Sequence, residues 1–227
     1  MNLDKKYIKI THYLQKKIQG TTFPNPAVFA LIVESDKKFN SNKIVSFGFT
    51  KFTGRPHAEA VAISGIKFFP NKIYSLYSTL EPCCHKGKTP PCVDRIISSG
   101  IKKVFVSIKD PDLRVAGKGI NLLQNAGIEV NLGLCEKEAL ELNKSFIHKN
   151  LNGFSYGVLK WAMSIDGRVG LKNGESKWIT TEKSRSFVHK LRADFDAIII
   201  GGNTLRKDDP LLTTRGFKKI EPLRVVF

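Results

Sequence analysis

Long hydrophobic runs are absent from this sequence, and cysteine is scarce. No stretch of eighteen apolar residues occurs, so no transmembrane helix is expected. Residues 1–20 lack the apolar block of a signal peptide, so we expect a cytoplasmic protein. Only four cysteines are present, and three of them lie between residues 83 and 92. This crowding favours metal chemistry in a reducing compartment over a disulfide framework.

Blocks of positive charge are also absent, although the net charge is +17. Residues 151–227 carry 14 Lys and Arg against 8 Asp and Glu, and residues 1–150 carry 23 against 12. A basic chain invites a nucleic-acid partner, but so even a distribution suits an anionic small substrate equally well. The length of 227 residues, with 41% hydrophobic and 25% charged, is typical of a soluble globular protein with more than one domain.

The stretch from His57 to Cys92 carries the most informative pattern. It reads HAEAVAI and, after a strand-like run, TLEPCCHKGKTPPC. A His-x-Glu followed by two Pro-Cys pairs is typical of a zinc hydrolase that deaminates a nucleobase-like ring. His57, Cys83 and Cys92 are three candidate ligands, which leave one position of a tetrahedral zinc ion open to water. Glu59 is predicted to take the proton of that water and to pass it to the leaving amine.

Helix signals support the catalytic interpretation of this pattern. His57 and Cys92 each open an apolar-periodic stretch, and a helix N-terminus favours thiolate and hydroxide. Two alternatives are a structural zinc knot and a pair of cysteines that serve as small buried hydrophobes. Cys84 is expected to point away from its neighbour Cys83, so it is left out of the metal shell.

Strands and helices alternate through residues 1–150, which predicts a three-layer α/β/α domain with a mixed sheet. Helices are expected over residues 4–19, from residue 57 onward, and over residues 92–100, 120–126 and 136–149. Strands are expected over residues 28–33, 44–49, 73–78, 104–108 and 128–132. A polar turn at residues 36–42 separates the first two strands.

A second unit is predicted after a polar, glycine-containing boundary at residues 150–155. Its expected elements are a strand over 156–162, a helix over 181–194 capped by Thr180 or Thr181, a buried strand over 197–200 and a strand from 224. The Gly-Gly-Asn-Thr stretch at 201–204 suggests a nucleotide-binding α/β domain, and a plain turn is the alternative.

Several stretches resemble one family, the bifunctional riboflavin-biosynthesis proteins, in which a pyrimidine deaminase is fused to a uracil reductase. Among them are NPAV (25–28), HAEAVAI (57–63), EPCCHKGKTPPC (81–92), VAGKGINLLQNAGIEV (115–130), SIDGRVG (164–170) and LRADFDAIIIGGNTLRKDDPLLTTR (191–215). The resemblance runs from about residue 8 to the last residue. Its long loop between the two Pro-Cys pairs is specific, because most other deaminases of this kind have a short Pro-Cys-x-x-Cys.

The resemblance implies that residues 1–150 form a cytidine-deaminase-like domain. This domain would hydrolyse the ring amine of 2,5-diamino-6-ribosylamino-4(3H)-pyrimidinone 5′-phosphate and release ammonia. His57, Cys83 and Cys92 match the zinc ligands of the family, and Glu59 matches its proton shuttle.

The resemblance also implies substrate contacts in this domain. Asn25 matches an asparagine that contacts the ring, and Lys88 lies in a loop that lines the substrate. Phe29 stands where similar proteins have glycine, so a large ring is expected beside the pocket.

For residues 151–227 the resemblance implies the N-terminal part of a dihydrofolate-reductase-like α/β domain, which uses NADPH to reduce the ribose to ribityl. The implied NADP contacts are Ala162, Trp178, Thr204 and Asp208, and the implied substrate contacts are Ser176, Arg192, Leu212 and Arg215. On the residues alone, Arg192 is interpreted as a charge on a helix surface and Trp178 as a core residue. These 77 residues are short for a domain that encloses a dinucleotide and a ribotide, so this chain is expected to deaminate and not to reduce.

Two rival functions stay open. The positive charge suggests a deaminase that acts on a base flipped out of RNA, and the long loop argues against it. A non-catalytic zinc module is the other, and Glu59 argues against it, since a structural site has no use for an unligated carboxylate. The expected partner is a small phosphorylated pyrimidine, with no nucleic acid and no membrane, and a homo-oligomer stays open.

Overall fold

The computed structural model describes residues 3–36, 41–87, 89–218 and 221–227. Contacts divide the chain into two compact units, Met1–Tyr156 and Gly157–Phe227. The division comes later than the expected boundary at residue 150, because that position lies inside a helix that continues to Asn152. The Tyr156 ring also packs on this helix, with its centroid 5.6 Å from that of His148. Within the described ranges, no helix combines the length and the apolar character needed to cross a membrane.

The first unit alternates helices with strands in the expected order. Its helices are α1 (Leu3–Gln15), α2 (Ala58–Ser64), α3 (Cys92–Ser99), α4 (Lys118–Asn125), α5 (Glu136–Leu142) and α6 (Lys144–Asn152), and its strands are β1 (Phe29–Asp36), β2 (Ser41–Phe49), β3 (Ile73–Ser78), β4 (Lys103–Val106) and β5 (Glu129–Leu132).

Two helices differ from the prediction. The first α-helix ends at Gln15, and a single 3-10 turn, Lys16–Ile18, follows before Gly20. The helix expected over residues 136–149 is interrupted at Asn143, whose side chain donates to the carbonyl oxygen of Ala139 at 2.8 Å. A side chain that bonds to its own backbone competes with the helical pattern, and periodicity alone does not reveal it.

The five strands form one mixed sheet in the order β2-β1-β3-β4-β5. Strand β1 is antiparallel to β2 and β3, whereas β3, β4 and β5 run parallel. The mixed sheet predicted from the sequence is therefore confirmed. The carboxyl ends of β3 and β4 lie side by side, which is where ligand sites form in such sheets.

Helices cover both faces of this sheet, which confirms the three layers. Ala30 and Ile32 of β1 share one core cluster with Ala58 of α2 and with α3, whereas Leu31 shares the other with Ile8 of α1. Side chains alternate between the faces of a strand, so β1 contributes to both cores.

Helix α2 lies directly on the sheet because β2 has glycine beneath it. A Cβ on Gly48 would be 2.1 Å from the carbonyl oxygen of Ala58 and 2.5 Å from the backbone nitrogen of Ala62. Both are backbone atoms, so neither can rotate away as a side chain could. The close approach therefore requires glycine, and it sets the height of the helix that carries Glu59.

The second unit contains α7 (Glu182–Arg192), β6 (Ala197–Ile200), α8 (Gly202–Asp208) and β7 (Leu223–Val226), and β6 pairs with β7 in parallel. Thr181 is the N-cap of α7, and its hydroxyl accepts the backbone N–H of Ser184 at 3.2 Å. The glycines at 201–202 lead into a helix and are not a plain turn.

Two strand predictions in the second unit are wrong. Residues 156–162 form no strand, and their large apolar side chains, such as Leu159, are exposed. Strand β6 is not buried as expected, because Ile199 is 67% exposed. Apolar composition favours a strand, but a strand needs a neighbour with which to pair and a layer that covers it.

Candidate active site

His57 is the N-cap residue of α2 and has an extended backbone (φ −70°, ψ 159°). Its carbonyl oxygen accepts the backbone N–H of Val61 at 3.1 Å, which closes the first turn of the helix. The preceding turn is tight at Gly54, where φ is +83° and a Cβ would lie 2.8 Å from the Cβ of Asn25. Glycine at this position lets the loop that carries Asn25 reach the start of the helix.

Cys83 and Cys92 lie close together because the loop between them folds back, so that its last residue contacts its first. Cys83 follows β3, and Cys92 is the first residue of α3. The backbone N–H of Cys92 points at Sγ of Cys83 at 3.4 Å, and that of Val93 donates to the carbonyl oxygen of Cys83 at 3.2 Å. The unpaired N–H groups at a helix start attract negative charge, so α3 favours the thiolate form of Cys83.

The three predicted ligand atoms converge. Nδ1 of His57 lies 3.4 Å from Sγ of Cys83 and 3.5 Å from Sγ of Cys92. A tetrahedral zinc ion with ordinary bond lengths holds a nitrogen and a sulfur ligand about 3.6 Å apart. Cys92 is buried and the other two residues are half-buried. The residue types and their spacing both fit zinc.

Hydrogen bonding shifts the pKa values of the Cys83 and Cys92 thiols in opposite directions. The pKa of Cys83 is lowered to about 4, first by its hydrogen bond with Cys92 and then by that with His57. The pKa of Cys92 is raised well above its ordinary value, because it bonds to Cys83 and is buried. The pKa of His57 is raised, chiefly by its hydrogen bond with Cys83, while burial and the charge of Arg55 act against the rise. A divalent cation ionises such thiols outright.

Cys84 stays outside the ligand group. Its Sγ lies 3.7 Å from the carbonyl oxygen of Arg114, and the side chain packs against the core beneath α3. Cys135 is buried on the α1 face, as expected of a small apolar residue. The four cysteines are all free thiols.

Glu59 lies in the first turn of α2 and is 4% exposed. The Ser78 hydroxyl is 3.1 Å from its Oε1 atom. Burial raises the pKa of Glu59, and the charge of Cys83 raises it further. Glu59 is not one of the three converging ligand residues. A buried carboxyl group with a raised pKa beside a metal site can both accept and return a proton.

Asn25 lies at the edge of this group. Its Nδ2 atom donates to the carbonyl oxygen of Gly54 at 2.8 Å and lies 3.2 Å from Nε2 of His57. The side chain is therefore held against His57, at the edge of the ligand group. The other predicted contact, Lys88, lies outside the described residues.

Phe29 does not stand beside the pocket, so the expected crowding is wrong. Its ring belongs to the α1 face of the sheet and stacks on Phe47, with centroids 5.9 Å apart. The neighbouring Ala30 faces α2 instead. A small residue therefore stands on the site side of the strand, and the large ring is on the other side.

The buried carboxylate of Glu81, which was not predicted from the sequence, organises the loop around the site. Glu81 is 3% exposed and accepts backbone N–H groups at 2.9–3.2 Å from Asp110, Gly117 and Ile120. These contacts fasten the loop after β4 and the start of α4 to the segment that carries Cys83. The available signal was an acidic residue directly before a Pro-Cys pair.

Arg55 was missed as well. Its Nη1 atom donates to Oγ1 of Thr89 at 2.9 Å, so it connects the segment that carries His57 with the loop that leads to Cys92. Its position directly before Pro56-His57 is the signal that could have drawn attention to it.

The structure brings together only some of the predicted reductase residues. Ala162 and Arg192 both line one cavity of about 700 Å³ in the second unit, along α7. The other predicted residues are not among those that line it: Ser176, Trp178, Thr204, Asp208, Leu212 and Arg215.

The surroundings of Trp178 and Arg192 differ from those expected from the residues alone, which were a core position and a helix surface. Trp178 is 69% exposed, so it is not a core residue, and the Arg185 guanidinium lies 4.2 Å from its ring centroid. Arg192 is half-buried, donates to the carbonyl oxygen of Thr213, and has its pKa lowered by burial. It is therefore not a free charge on a helix surface.

Leu212 and Arg215 bracket a strained loop. Both are non-glycine residues in the left-handed region, with φ of +53° and +51°. Thr214 between them is buried, and its N–H and hydroxyl groups both bond to the carboxylate of Glu221, at 2.8 and 2.9 Å. Such backbone strain is concentrated at functional sites.

Comparison with known families divides the chain in a similar way. Residues 1–108 match the cytidine and deoxycytidylate deaminase zinc-binding region, and residues 155–227 match the RibD C-terminal domain. The riboflavin biosynthesis protein RibD of Aquifex aeolicus is 45% identical over 225 residues, which are 99% of this chain and 61% of that protein.

Solved structures agree with this assignment. The diaminohydroxyphosphoribosylaminopyrimidine deaminase/5-amino-6-(5-phosphoribosylamino)uracil reductase of Thermotoga maritima superposes with a TM-score of 0.87 at 37% identity, over 98% of this chain and 62% of that one. The Rib2 deaminase of Aspergillus oryzae, in complex with DARIPP, superposes with a TM-score of 0.53 at 26% identity, over 66% of this chain and 99% of that one.

The three-layer fold and the His-Cys-Cys group with its buried glutamate define the class of zinc-dependent deaminases related to cytidine deaminase. Within that class, the chain is similar over nearly its whole length to the riboflavin biosynthesis protein RibD. It spans 61% of the length of the Aquifex relative.

Proposed function

We propose that the first unit is the deaminase of riboflavin biosynthesis. Its substrate would be 2,5-diamino-6-ribosylamino-4(3H)-pyrimidinone 5′-phosphate, which loses one ring amine as ammonia. The observation that carries the proposal is the convergence of His57, Cys83 and Cys92 within 4.8 Å, with the buried Glu59 beside them. The similarity to RibD proteins over nearly the whole chain supports the substrate class.

The residues of the site have separate roles in the proposed reaction: metal binding, proton transfer and orientation of the ring. His57, Cys83 and Cys92 would hold zinc, which when bound supplies a Lewis acid that makes water acidic. Glu59 accepts a proton from water as the new C–O bond forms at the ring carbon. It returns a proton to the amine nitrogen as the C–N bond breaks, so ammonia leaves and a carbonyl remains. The raised pKa of Glu59 favours this return, and Asn25 is proposed to orient the ring.

Ammonia release from the diaminopyrimidine ribotide tests the proposal. The purified chain with stoichiometric zinc is expected to release ammonia, and the chelated protein is not. Cytidine 5′-phosphate serves as the control for substrate class and is expected to remain intact. A fully zinc-loaded protein that leaves the ribotide unchanged would contradict the proposed function.

For the second unit we propose a part in the NADPH-dependent reduction of the ribose, supported by the match of residues 155–227 to the RibD C-terminal domain. The proposed NADP contacts remain Ala162, Trp178, Thr204 and Asp208, and the proposed substrate contacts Ser176, Arg192, Leu212 and Arg215. Of the four NADP residues, only Ala162 lines the cavity.

The expectation that this chain does not reduce the ribose by itself stays a prediction. A titration with NADPH, followed by nicotinamide fluorescence, tests it. A dissociation constant in the low micromolar range would show that the unit holds the cofactor and that the prediction is wrong.

The comparisons do not favour the rival deaminase that acts on RNA, since the similar proteins are riboflavin-biosynthesis enzymes. We propose a small phosphorylated pyrimidine as the partner, in a cytoplasmic setting. The free thiols support a reducing compartment. A homo-oligomer stays open, and sedimentation of the purified chain measures it.

A further inference from the structure

A half-buried arginine stands at the rim of the proposed metal site. Arg55 precedes Pro56-His57, and its Nη1 atom donates to Oγ1 of Thr89 at 2.9 Å. Thr89 lies in the loop that leads to Cys92. The guanidinium is therefore held between two ligand-bearing segments. Among the residues that the structure describes, no carboxylate forms an ion pair with Arg55, as the six ion pairs found there all involve other cations.

A glycine lies beside this guanidinium and adds no side chain of its own there. A Cβ on Gly87 would lie 3.6 Å from Nη2 of Arg55 and 3.9 Å from Nη1. The same point is 3.9 Å from Nε2 of His85. The guanidinium of Arg55 and the imidazole of His85 thus both lie near one backbone position, at Gly87.

The chemistry of this position suits an anion. Burying part of an unpaired guanidinium is costly, and an anionic partner would offset the cost. A guanidinium matches a phosphate well, because its fork can make two parallel hydrogen bonds. Nη1 is already bonded to Thr89, which leaves Nη2 and the remaining N–H groups for a ligand.

We propose that Arg55, held in place by Thr89, binds the phosphate of the substrate and determines the preference for a phosphorylated over an unphosphorylated pyrimidine nucleoside. This inference rests on the proposed deaminase function. The inference requires that a substrate with its ring amine at the metal site reaches Arg55 with its ribose phosphate. Arg55 lies close enough to the ligand group for its charge to lower the pKa of His57.

A purely structural role for Arg55 makes a different prediction. If its contact with Thr89 only braces the two segments, its loss disturbs the ligand group itself. Zinc content and kcat would then fall for every substrate, whether or not it carries a phosphate. A phosphate contact instead affects KM, and only for the phosphorylated substrate.

Steady-state kinetics of Arg55→Gln with the ribotide and the matching riboside separate these roles. For the ribotide, we expect KM to rise about 10- to 100-fold with kcat nearly unchanged, as for the loss of a hydrogen bond to a charged group. For the riboside, KM and kcat are expected to match the wild type. Arg55→Lys, which keeps the charge and loses the fork, is expected to fall between the two.

Inorganic phosphate provides a second measurement. It is expected to inhibit wild-type turnover of the riboside and to inhibit Arg55→Gln more weakly. Arg95→Gln removes the same charge from an exposed position on α3 and is the matched control, with no change expected. Thr89→Val leaves the guanidinium in place without its anchor and is expected to raise the ribotide KM less than Arg55→Gln does.

Three results would overturn the inference. An unchanged ribotide KM in Arg55→Gln excludes the phosphate contact. An equal loss with both substrates, or a loss of zinc, assigns Arg55 the bracing role. A wild-type protein that releases no ammonia from either substrate overturns the proposed function, and the inference with it.

Discussion

The backbone N–H of Cys92 points at the sulfur of Cys83, 3.4 Å away. The helix that begins at Cys92 therefore starts in contact with Cys83, the other predicted cysteine ligand. This hydrogen bond closes the loop between the two cysteines without a metal ion. The pKa of Cys83 is lowered to about 4, chiefly by its hydrogen bond with the Cys92 side chain, and the backbone N–H of Cys92 is a smaller cause that favours the thiolate in the same way. Preorganisation of this kind lowers the cost of assembling the site.

The cysteines allow the ligand assignment to be tested. Cys83→Ser is expected to lose stoichiometric zinc and with it ammonia release, because a hydroxyl does not ionise as the thiol does. Cys84→Ser is the matched control in the adjacent position, and it is expected to keep both, because Sγ of Cys84 contacts Arg114 instead. Atomic absorption of the purified proteins measures the zinc. Zinc loss in Cys84→Ser with zinc retained in Cys83→Ser would reverse the assignment.

Glu59 is expected to separate metal binding from turnover. Glu59→Gln keeps the shape of the side chain and removes its ability to accept a proton, so zinc content should be normal while ammonia release falls about 10²- to 10⁴-fold. Glu34→Gln, on β1, is a control for the loss of a carboxylate elsewhere in the unit and should leave turnover unchanged. Near-normal release by Glu59→Gln would end the assignment of the proton shuttle.

Gly48 is expected to resist any side chain. Gly48→Ala places a Cβ 2.1 Å from the carbonyl oxygen of Ala58, so either α2 moves or the strand does. We expect a loss of about 1–3 kcal/mol in the free energy of unfolding, as for overpacked cores, together with weaker zinc binding. Gly157→Ala is the control, since a Cβ there meets nothing within 4 Å. Urea denaturation of the zinc-free proteins measures the difference, and equal midpoints would refute it.

His12 is expected to make the first unit sensitive to acid. The residue is 6% exposed, Nε2 lies 3.0 Å from the Ser107 hydroxyl, and burial lowers its pKa from 6.5 to about 4. Above pH 6.5 the folded and unfolded states both hold it neutral. Between pH 6.5 and 4 only the unfolded chain takes up the proton. The free energy of unfolding therefore decreases as the pH is lowered through this range, by up to about 3 kcal/mol.

Unfolding by urea at a series of pH values tests this dependence. His12→Gln is expected to remove this contribution, and the half-buried His148→Gln, which lies away from this contact, is expected to keep it. An identical pH dependence in His12→Gln and the wild type would show that other groups cause the loss.

Much of the candidate site followed from local signals in the sequence. Proline and glycine before His57, and two prolines before Cys92, mark helix starts without knowledge of the fold, and the donor types select the metal. Alternation of strands with helices predicted the mixed sheet for the same reason: periodicity is a property of neighbouring residues. These features depend on a few adjacent positions, so the sequence by itself determined them.

Contacts between distant segments were decided only by the tertiary structure. The face of the sheet that Phe29 occupies, the strand that residues 156–162 do not form, and the partners of Glu81 and Arg55 all depend on which elements become neighbours. A strand exists only beside another strand, and a buried charge finds its partners only after the backbone around it has folded. The sequence determined the metal-binding residue types of the site, and tertiary packing determined which side chains surround them.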